Sequence, residues 1–181
     1  MAILLNESKP AGCCNVYTVS SQSNQCSEGI TDCHELSFYI QNVSQYFVSN
    51  TEFKFLSGTH ILSNTPVPVN ITGTNNITFT GHSATIDTPI IQCTDGSLGF
   101  VFWNAFNITL RSLIIEGCSP TIHDSPLTVT NCNSLTLRYF TIRNTTGVGL
   151  MIHNINTLNI AHSNFSNNGL GISTCSHETH Q

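Results

Sequence analysis

Carboxylate side chains that could act as catalytic acids are few in the repetitive part of this chain, and they do not fall together. The candidates are Asp87, Asp95, Glu116 and Asp124. Enzymes that hydrolyse glycosidic bonds place two carboxyl groups at one bond, as acid and as base or nucleophile. These four residues occupy different positions within their repeats, so stacking of the repeats brings no two of them together. We therefore predict no catalytic residue, no bound metal and no cofactor.

Four other side chains have the chemistry of ligand binding. Trp103 and His153 share one position of the repeat, and an outward Trp beside hydroxyl and imidazole groups can support a sugar ring. Arg111 and Arg138 share another position, where two adjacent guanidinium groups can accept an anionic sugar. The alternatives are that the turn of residues 95–99 covers Trp103, and that both arginines are ordinary solvated residues.

An internal repeat fixes the positions of these residues. From Ile77 to Ile108, Leu135 and Leu158 the steps are 31, 27 and 23 residues. A repeat of this length built from short strands is typical of a solenoid, and it can close one turn of a parallel β-helix with three short sheets. A leucine-rich repeat is the nearest alternative in length, but its template is missing. The repeated unit is a pair of apolar-polar-apolar triplets whose first residues are eight positions apart, at 69–71 with 77–79, 100–102 with 108–110, 127–129 with 135–137 and 150–152 with 158–160.

The sequence divides into three parts. Residues 1–50 form a Cys-containing N-terminal cap, residues 51–175 form four to five coils of the parallel β-helix, and residues 176–181 form a tail. Within the cap, Asp32 as N-cap and Glu35 three residues later predict one helix over about residues 33–48. Its apolar stripe recurs at helical spacing and consists of Leu36, Ile40, Val43 and Phe47.

The composition excludes several classes of protein. Of 181 residues, 39% are hydrophobic and 8% are charged, so this is neither a disordered chain nor one kept soluble by ion pairs. Five Lys and Arg residues in the whole chain make no basic patch for nucleic acid. No stretch approaches the ~20 apolar residues of a membrane span. The first residues lack the features of a signal peptide and residues 170–172 begin another triplet, so we expect a fragment of a longer chain.

Asparagine recurs at the bend between the two triplets. Asn104, Asn131 and Asn154 occupy this position in three copies, and Gly73 occupies it in the earliest. Asn and Gly are the residues best suited to a left-handed backbone. We therefore predict a structural ladder of stacked amides that hydrogen-bond from coil to coil.

Eight cysteines suit an oxidising compartment. We expect Cys26 and Cys33 to pair with each other or with Cys13 and Cys14, and Cys93 to join Cys118 on the adjacent coil. Buried free thiols are the alternative for the remaining cysteines, Cys132 and Cys175. A zinc site formed by Cys26, Cys33 and His34 is the alternative near the N-terminal helix, although the spacing does not match a Cys-x2-Cys pair.

Asn-x-Ser/Thr sequons are about as frequent as the composition alone would give. Four of them, at Asn70, Asn76, Asn107 and Asn164, lie next to inward apolar residues, which places them on outer surfaces. Outward sequons agree with glycosylation in an extracellular protein, and ordinary polar surface positions are the alternative. The seven sequons begin at Asn6, Asn42, Asn70, Asn76, Asn107, Asn144 and Asn164.

The triplets and the Asn at the bend resemble the right-handed parallel β-helix, or pectin-lyase-like, superfamily over roughly residues 50–175. The segment 53–62, with Gly58-Thr59-His60, resembles the Gly-Thr-Tyr turn that opens many of these domains. Together with Cys26, Cys33 and the segment 75–81, it is similar to a large group of repeat-containing surface proteins of simple animals. The resemblance implies an all-β, right-handed parallel β-helix solenoid with an N-terminal capping helix.

The same superfamily contains polysaccharide hydrolases and lyases. Its hydrolase signatures (Asn-Thr-Asp, Asp-Asp and Gly-His-Gly) are absent from this sequence, and its lyases of the pectate type use Asp-bound calcium with an Arg base. We therefore expect a non-enzymatic extracellular or cell-surface module whose partners are glycans or extracellular proteins. The competing hypotheses are a fragment of a polysaccharide lyase or glycoside hydrolase, and a structural spacer.

Overall fold

The fold is a parallel β-solenoid of about four turns. A computed structural model describes residues 15–26, 30, 32–63, 68–82, 87–94, 96–118, 121 and 123–175. Asn6, Cys13, Cys14, Asp95 and the tail 176–181 lie outside the described residues. The described residues form thirteen strands: β1 (Asn15–Ser20), β2 (Cys33–Glu35), β3 (Thr51–Phe55), β4 (Thr59–Leu62), β5 (Val69–Thr72), β6 (Ile77–Gly81), β7 (Ile90–Cys93), β8 (Phe100–Trp103), β9 (Asn107–Glu116), β10 (Leu127–Arg143), β11 (Val148–Ala161), β12 (Asn164–Ser166) and β13 (Leu170–Cys175).

The strands form three faces. The long strands β9, β10 and β11 bend around corners and therefore contribute to more than one face. Face A contains β1, β3, β6 and residues 107–111, 134–138 and 157–161. Face B contains β5, β8, residues 127–130 and 148–153, and β13. Face C contains β4, β7, residues 113–116 and 140–143, and β12. All pairings are parallel, so the chain winds in one direction through the three faces.

Like residues stack on like inside the solenoid. On face A, Phe79 pairs with Leu110, Leu110 with Leu137 and Leu137 with Ile160, which confirms the predicted column. The side chains of the first three are fully buried, and Ile160 packs against them at the edge of the core. Apolar burial of this kind is the dominant favourable term in folding. The core is therefore one continuous stack rather than a set of separate clusters.

The prediction of one helix over residues 33–48 is wrong. Residues 33–35 form β2, which pairs with β1, and two short helices follow, α1 (Leu36–Ile40) and α2 (Val43–Tyr46). Asp32 has a φ of 55° and does not begin a helix, while Glu35 precedes α1 without a side-chain capping bond. The capping-box pattern is overridden because pairing with β1 uses the backbone of residues 33–35. All four residues of the predicted stripe nevertheless belong to the core or pack against it.

Aromatic side chains dominate the packing of the helical segment. The Tyr39 hydroxyl donates to the Thr18 and Asp32 carbonyl oxygens at 3.0 and 2.6 Å, and its ring packs against Tyr46 and Phe53. Burial raises the pKa of Tyr39, so the hydroxyl stays a donor. No helix in the described residues is long and apolar enough to cross a membrane.

Two disulfides lie within the described residues. Cys26 pairs with Cys33, and Cys93 pairs with Cys118 on the neighbouring coil. Both pairings were predicted, and the first decides between the two alternatives for Cys26. The thiol of Cys132 is free and buried, as the alternative for that residue predicted. Since Cys26 and Cys33 are oxidised, they cannot supply the thiolates that the zinc hypothesis requires.

Candidate functional site

Trp103 is the last residue of β8 on face B, and it is exposed. It pairs in register with Thr72 and Thr130, and Thr130 pairs with His153. Trp103 is 50% exposed, so the alternative that a turn covers it is wrong for the described turn residues 96–99. Trp103 and His153 share a column but are separated by one strand, which is roughly 9–10 Å at the usual strand spacing.

The bend that follows these residues carries the predicted asparagine ladder. Gly73, Asn104, Asn131 and Asn154 have φ values of 64°, 52°, 52° and 56°. The Asn154 Nδ2 donates to the Asn131 Oδ1 at 3.1 Å. The left-handed backbone and the coil-to-coil hydrogen bond agree with the structural role that we predicted for this position.

A second row of polar side chains runs beside the ladder, two residues further along each coil. The Asn156 Nδ2 donates to the Asn133 Oδ1 at 3.0 Å, and Phe106 precedes them at the same position of the earlier coil. The Phe106 ring is 56% exposed. We did not predict this row, although aligning the repeats on the known ladder would have placed Phe106, Asn133 and Asn156 in one column.

The two rows enclose a groove that runs across three coils, which we call the amide groove. Its volume is about 400 Å³, and Trp103 lies immediately before its first residue. No charged side chain of the described residues lines it, and its polar side-chain atoms are mainly amide donors and acceptors. The groove is lined by Asn104, Ala105, Phe106, Asn131, Cys132, Asn133, Asn154 and Asn156.

Cys132 lies at the base of this groove and is chemically quiet. Its side chain is buried, and the Sγ donates to the Thr130 carbonyl oxygen at 3.2 Å. Burial raises the pKa of the Cys132 thiol. Because the nucleophile is the thiolate rather than the thiol, the groove offers no reactive sulfur at neutral pH.

Arg111 and Arg138 pair in register at the opposite edge of face A, but their surroundings differ. The Arg111 Nε donates to the Thr80 Oγ1 at 3.0 Å, and its Nη2 lies 3.4 Å from the Glu52 Oε1. The Arg138 guanidinium lies 5.2 Å from the centroid of the Tyr139 ring. Arg111 is therefore partly neutralised, whereas Arg138 forms no ion pair with the described carboxylates.

Glu52 is a buried acid that the sequence analysis missed. Its side chain is fully buried, and the Oε1 accepts a hydrogen bond from the Thr80 Oγ1 at 3.0 Å. The Oε2 has no hydrogen-bond partner. Glu52 lies within a run of buried residues on β3, although simple strand alternation would place it on the outer surface beside an inward Phe53.

The four ligand-binding candidates do not form one site. Trp103 and His153 lie beside the amide groove, and Arg111 and Arg138 lie beyond the width of face A. Asn133 and Arg138 are five residues apart along β10, which corresponds to a distance of roughly 17 Å at the usual rise per residue. Two separate surfaces must therefore be considered, one neutral and one carrying cationic side chains.

Three of the four candidate acids, Asp87, Glu116 and Asp124, lie within the described residues, and Asp95 does not. Glu116 Oε2 accepts from the Arg143 Nε at 2.7 Å, and the Asp124 Oδ2 accepts from the Thr121 Oγ1 at 2.7 Å. Asp87 lies in an exposed loop. The described part of the chain contains no group of three or more His, Cys, Asp or Glu side chains that could hold a metal ion.

The described sequon asparagines differ in whether their side-chain amides are exposed or hydrogen-bonded. Asn70 is exposed in the middle of β5, and Asn42 is exposed beside α2. Asn76 and Asn107 are both hydrogen-bonded through their amide nitrogens and oxygens. The Asn76 Nδ2 donates to the Asn50 Oδ1 at 2.8 Å, the Asn107 Nδ2 donates to the Asn76 Oδ1 at 2.8 Å, and the Asn107 Oδ1 accepts from the Ser134 Oγ at 2.9 Å. Asn144 and Asn164 are exposed at the ends of face C. Glycosylation of these residues stays a prediction.

Comparison with protein-family models, with curated proteins and with solved structures finds no match to this chain. The resemblance to the pectin-lyase-like superfamily therefore stays a sequence-based expectation. The structure itself establishes the parallel β-solenoid.

Proposed function

We propose that the chain is a non-enzymatic extracellular module that binds neutral glycans in the amide groove. One observation carries the proposal: a groove of uncharged amides with the exposed Phe106 ring at one end, and with the exposed Trp103 immediately before its first residue in the sequence. Amides can donate to and accept from sugar hydroxyls, and an exposed aromatic ring offers an apolar surface to the C–H face of a sugar. The two disulfides support the extracellular part, because such bonds persist in oxidising compartments.

The dispersed acids support the non-enzymatic part of the proposal. A glycosidase needs two carboxyl groups that flank one glycosidic bond. Glu116 is engaged by Arg143, and the groove is lined by no acid. A solenoid with these features is suited to surface adhesion, where a rigid scaffold presents a binding groove.

Binding of neutral oligosaccharides to the whole chain tests the proposal, first on a glycan array and then by calorimetry. Trp103→Ala should weaken binding about tenfold, or ~1.4 kcal/mol, without a change in the unfolding temperature, because the indole is exposed. Ile61→Ala is the matched control, since Ile61 is also an exposed apolar residue on an outer face, away from the groove. It should leave the affinity unchanged.

Three outcomes would contradict the proposal. Equal affinity of wild type and Trp103→Ala would show that the glycan does not bind at the groove. Release of reducing ends or unsaturated products from a polysaccharide would favour the lyase or hydrolase hypothesis. Absence of binding across the array, together with absence of turnover, would favour the structural spacer.

A further inference from the structure

We infer that the corner between faces A and C is a second binding site, which takes the acidic group and ring of an anionic saccharide. The site consists of Arg138, Tyr139 and His162, which we call the corner stack. It lies across face A from the amide groove and does not depend on the function proposed for that groove. Its chemistry differs as well, because the groove is neutral and the corner stack carries an exposed cation.

The backbone is the first observation that favours a binding role. Tyr139 and His162 have φ values of 51° and 52°, in the left-handed region, where the Cβ of most residues clashes with the backbone. The corner between faces C and B meets the same requirement with Gly117, Asn144 and Asn167, residues that tolerate it. Aromatic residues are disfavoured at positions with a left-handed backbone, and departures from backbone preferences cluster at functional sites.

The rings themselves are the second observation. Tyr139 and His162 stack face to face, with centroids 4.9 Å apart and planes inclined by 8°. Tyr139 is 52% exposed and His162 is exposed as well. The stack therefore adds little to the core, and it presents two adjacent rings to solvent. A pyranose can pack its C–H face on such a surface.

The uncompensated charge of Arg138 identifies the ligand class. The neighbours of Arg138 in its column are Arg111, which contacts Glu52 and Thr80, and Ala161. No described carboxylate pairs with Arg138, and its guanidinium is held beside the Tyr139 ring. A planar guanidinium donates two parallel hydrogen bonds to a carboxylate or sulfate. The corner stack thus combines a ring surface with an anion donor.

A saccharide explains this combination better than a nucleic acid does. Nucleic-acid binding needs a clustered basic surface, and the whole chain has five Lys and Arg against ten Asp and Glu. One cation beside two rings matches a single acidic sugar within a longer glycan. Uronates and sulfated sugars share this chemistry, so the two sources must be separated experimentally.

Calorimetric titration of the whole chain tests the inference with three probes: a sulfated heparin-type oligosaccharide, an oligouronate and a neutral oligosaccharide of equal length. Wild type should bind at least one anionic probe, and Arg138→Gln should weaken that binding about tenfold. Tyr139→Asn removes the ring but suits the left-handed backbone, so it should weaken binding while leaving the unfolding temperature unchanged or higher. Arg143→Gln is the matched control, because it removes the same charge from the same strand at a position paired with Glu116.

Each result either supports or overturns the inference. Loss of binding in Arg138→Gln and Tyr139→Asn with retention in Arg143→Gln supports it. Equal losses in Arg138→Gln and Arg143→Gln would mean that net charge alone attracts the probe. Unchanged affinity in both corner variants, or failure of wild type to bind either anionic probe, would also overturn it. Trp103→Ala should not change binding of the anionic probe, so failure of the groove and failure of the corner stack are distinguishable.

Discussion

At the scale of single residues, the left-handed asparagines connect sequence to stability most directly. Asn131 has a φ of 52° and accepts a hydrogen bond from Asn154. Asn131→Ala should lower the free energy of unfolding by about 1–2 kcal/mol, because alanine tolerates this backbone poorly and the hydrogen bond is lost. Asn131→Gly removes the hydrogen bond without straining the backbone, since glycine occupies the same position naturally at Gly73. It should therefore lower the free energy of unfolding by less than Asn131→Ala does. Urea denaturation of the two variants checks the order, and a glycine variant as unstable as the alanine variant would contradict this explanation.

His60 gives a prediction about pH. Its side chain is buried near the start of β4, with the Nε2 2.8 Å from the Leu56 carbonyl oxygen. Burial lowers the pKa of His60 below its ordinary value, although backbone groups of Leu56 and Ser20 oppose the shift. A histidine that is neutral in the folded state and protonates when unfolded stabilises the fold fully above its unfolded pKa of about 6.5.

Stability should therefore fall as the pH drops from about 6.5 through the lower pKa of the folded state. The loss is about 1.4 kcal/mol for each unit of difference between the two pKa values. His60→Phe should flatten this part of the stability profile, measured by urea denaturation between pH 7.5 and 5. His123→Gln, at an exposed position, is the control and should keep it. A profile that His60→Phe leaves as steep as in wild type would rule out His60 as its source.

At the scale of elements, the disulfides make unequal contributions. The Cys93–Cys118 bond joins β7 to the turn after β9 and closes 25 residues, whereas Cys26–Cys33 closes 7. In the chain-entropy model the longer loop gives the larger stabilisation, about 3 kcal/mol, with roughly 1 kcal/mol less for the shorter one. Denaturation of the Cys93→Ala/Cys118→Ala and Cys26→Ala/Cys33→Ala double variants measures both. The reverse order would show that strain or residual structure outweighs loop entropy.

The strands were predictable where an inward apolar residue recurs in every coil. The pairing of Leu110 with Leu137 follows from the repeat itself, since a shift of one residue would turn every apolar side chain outward. The helix over residues 33–48 was not predictable from its capping pattern. Local propensity is a weak prior, and pairing of β2 with β1 depends on a segment that carries no repeat. Apolar spacing still identified which side of α1 and α2 faces the core.

At the scale of the whole molecule, stability should depend on position along the solenoid. Leu135 and Leu158 pair in one column, but Leu135 is fully buried, whereas Leu158, on the last described strand of face A, is 44% exposed. Leu135→Ala should therefore cost about 2–5 kcal/mol, and the same change at Leu158 should cost below about 1 kcal/mol. Thermal or urea unfolding of the two variants provides the comparison. Similar losses at both positions would mean that the column does not stack as described.

The candidate surfaces were only partly predictable for a related reason. The periodicity of the apolar residues predicts which side chains point outward, and so it placed Trp103, Arg111 and Arg138 correctly on outer surfaces. It does not state which outward residues are then covered, and the burial of Glu52 was missed for that reason. It also gives no signal at corner positions, where the stacked Tyr139 and His162 lie outside the apolar triplets. Contacts between side chains of different coils decide these features.

The most direct test of the account is a calorimetric titration of the whole chain with neutral oligosaccharides of increasing length. The amide groove crosses three coils, so its outer asparagines lie roughly 9–10 Å apart at the usual strand spacing. Affinity should rise with ligand length until the glycan spans the groove, level off thereafter, and fall about tenfold in Trp103→Ala at every length. Affinity that is absent at all lengths, or that Trp103→Ala leaves unchanged, would contradict glycan binding in the amide groove.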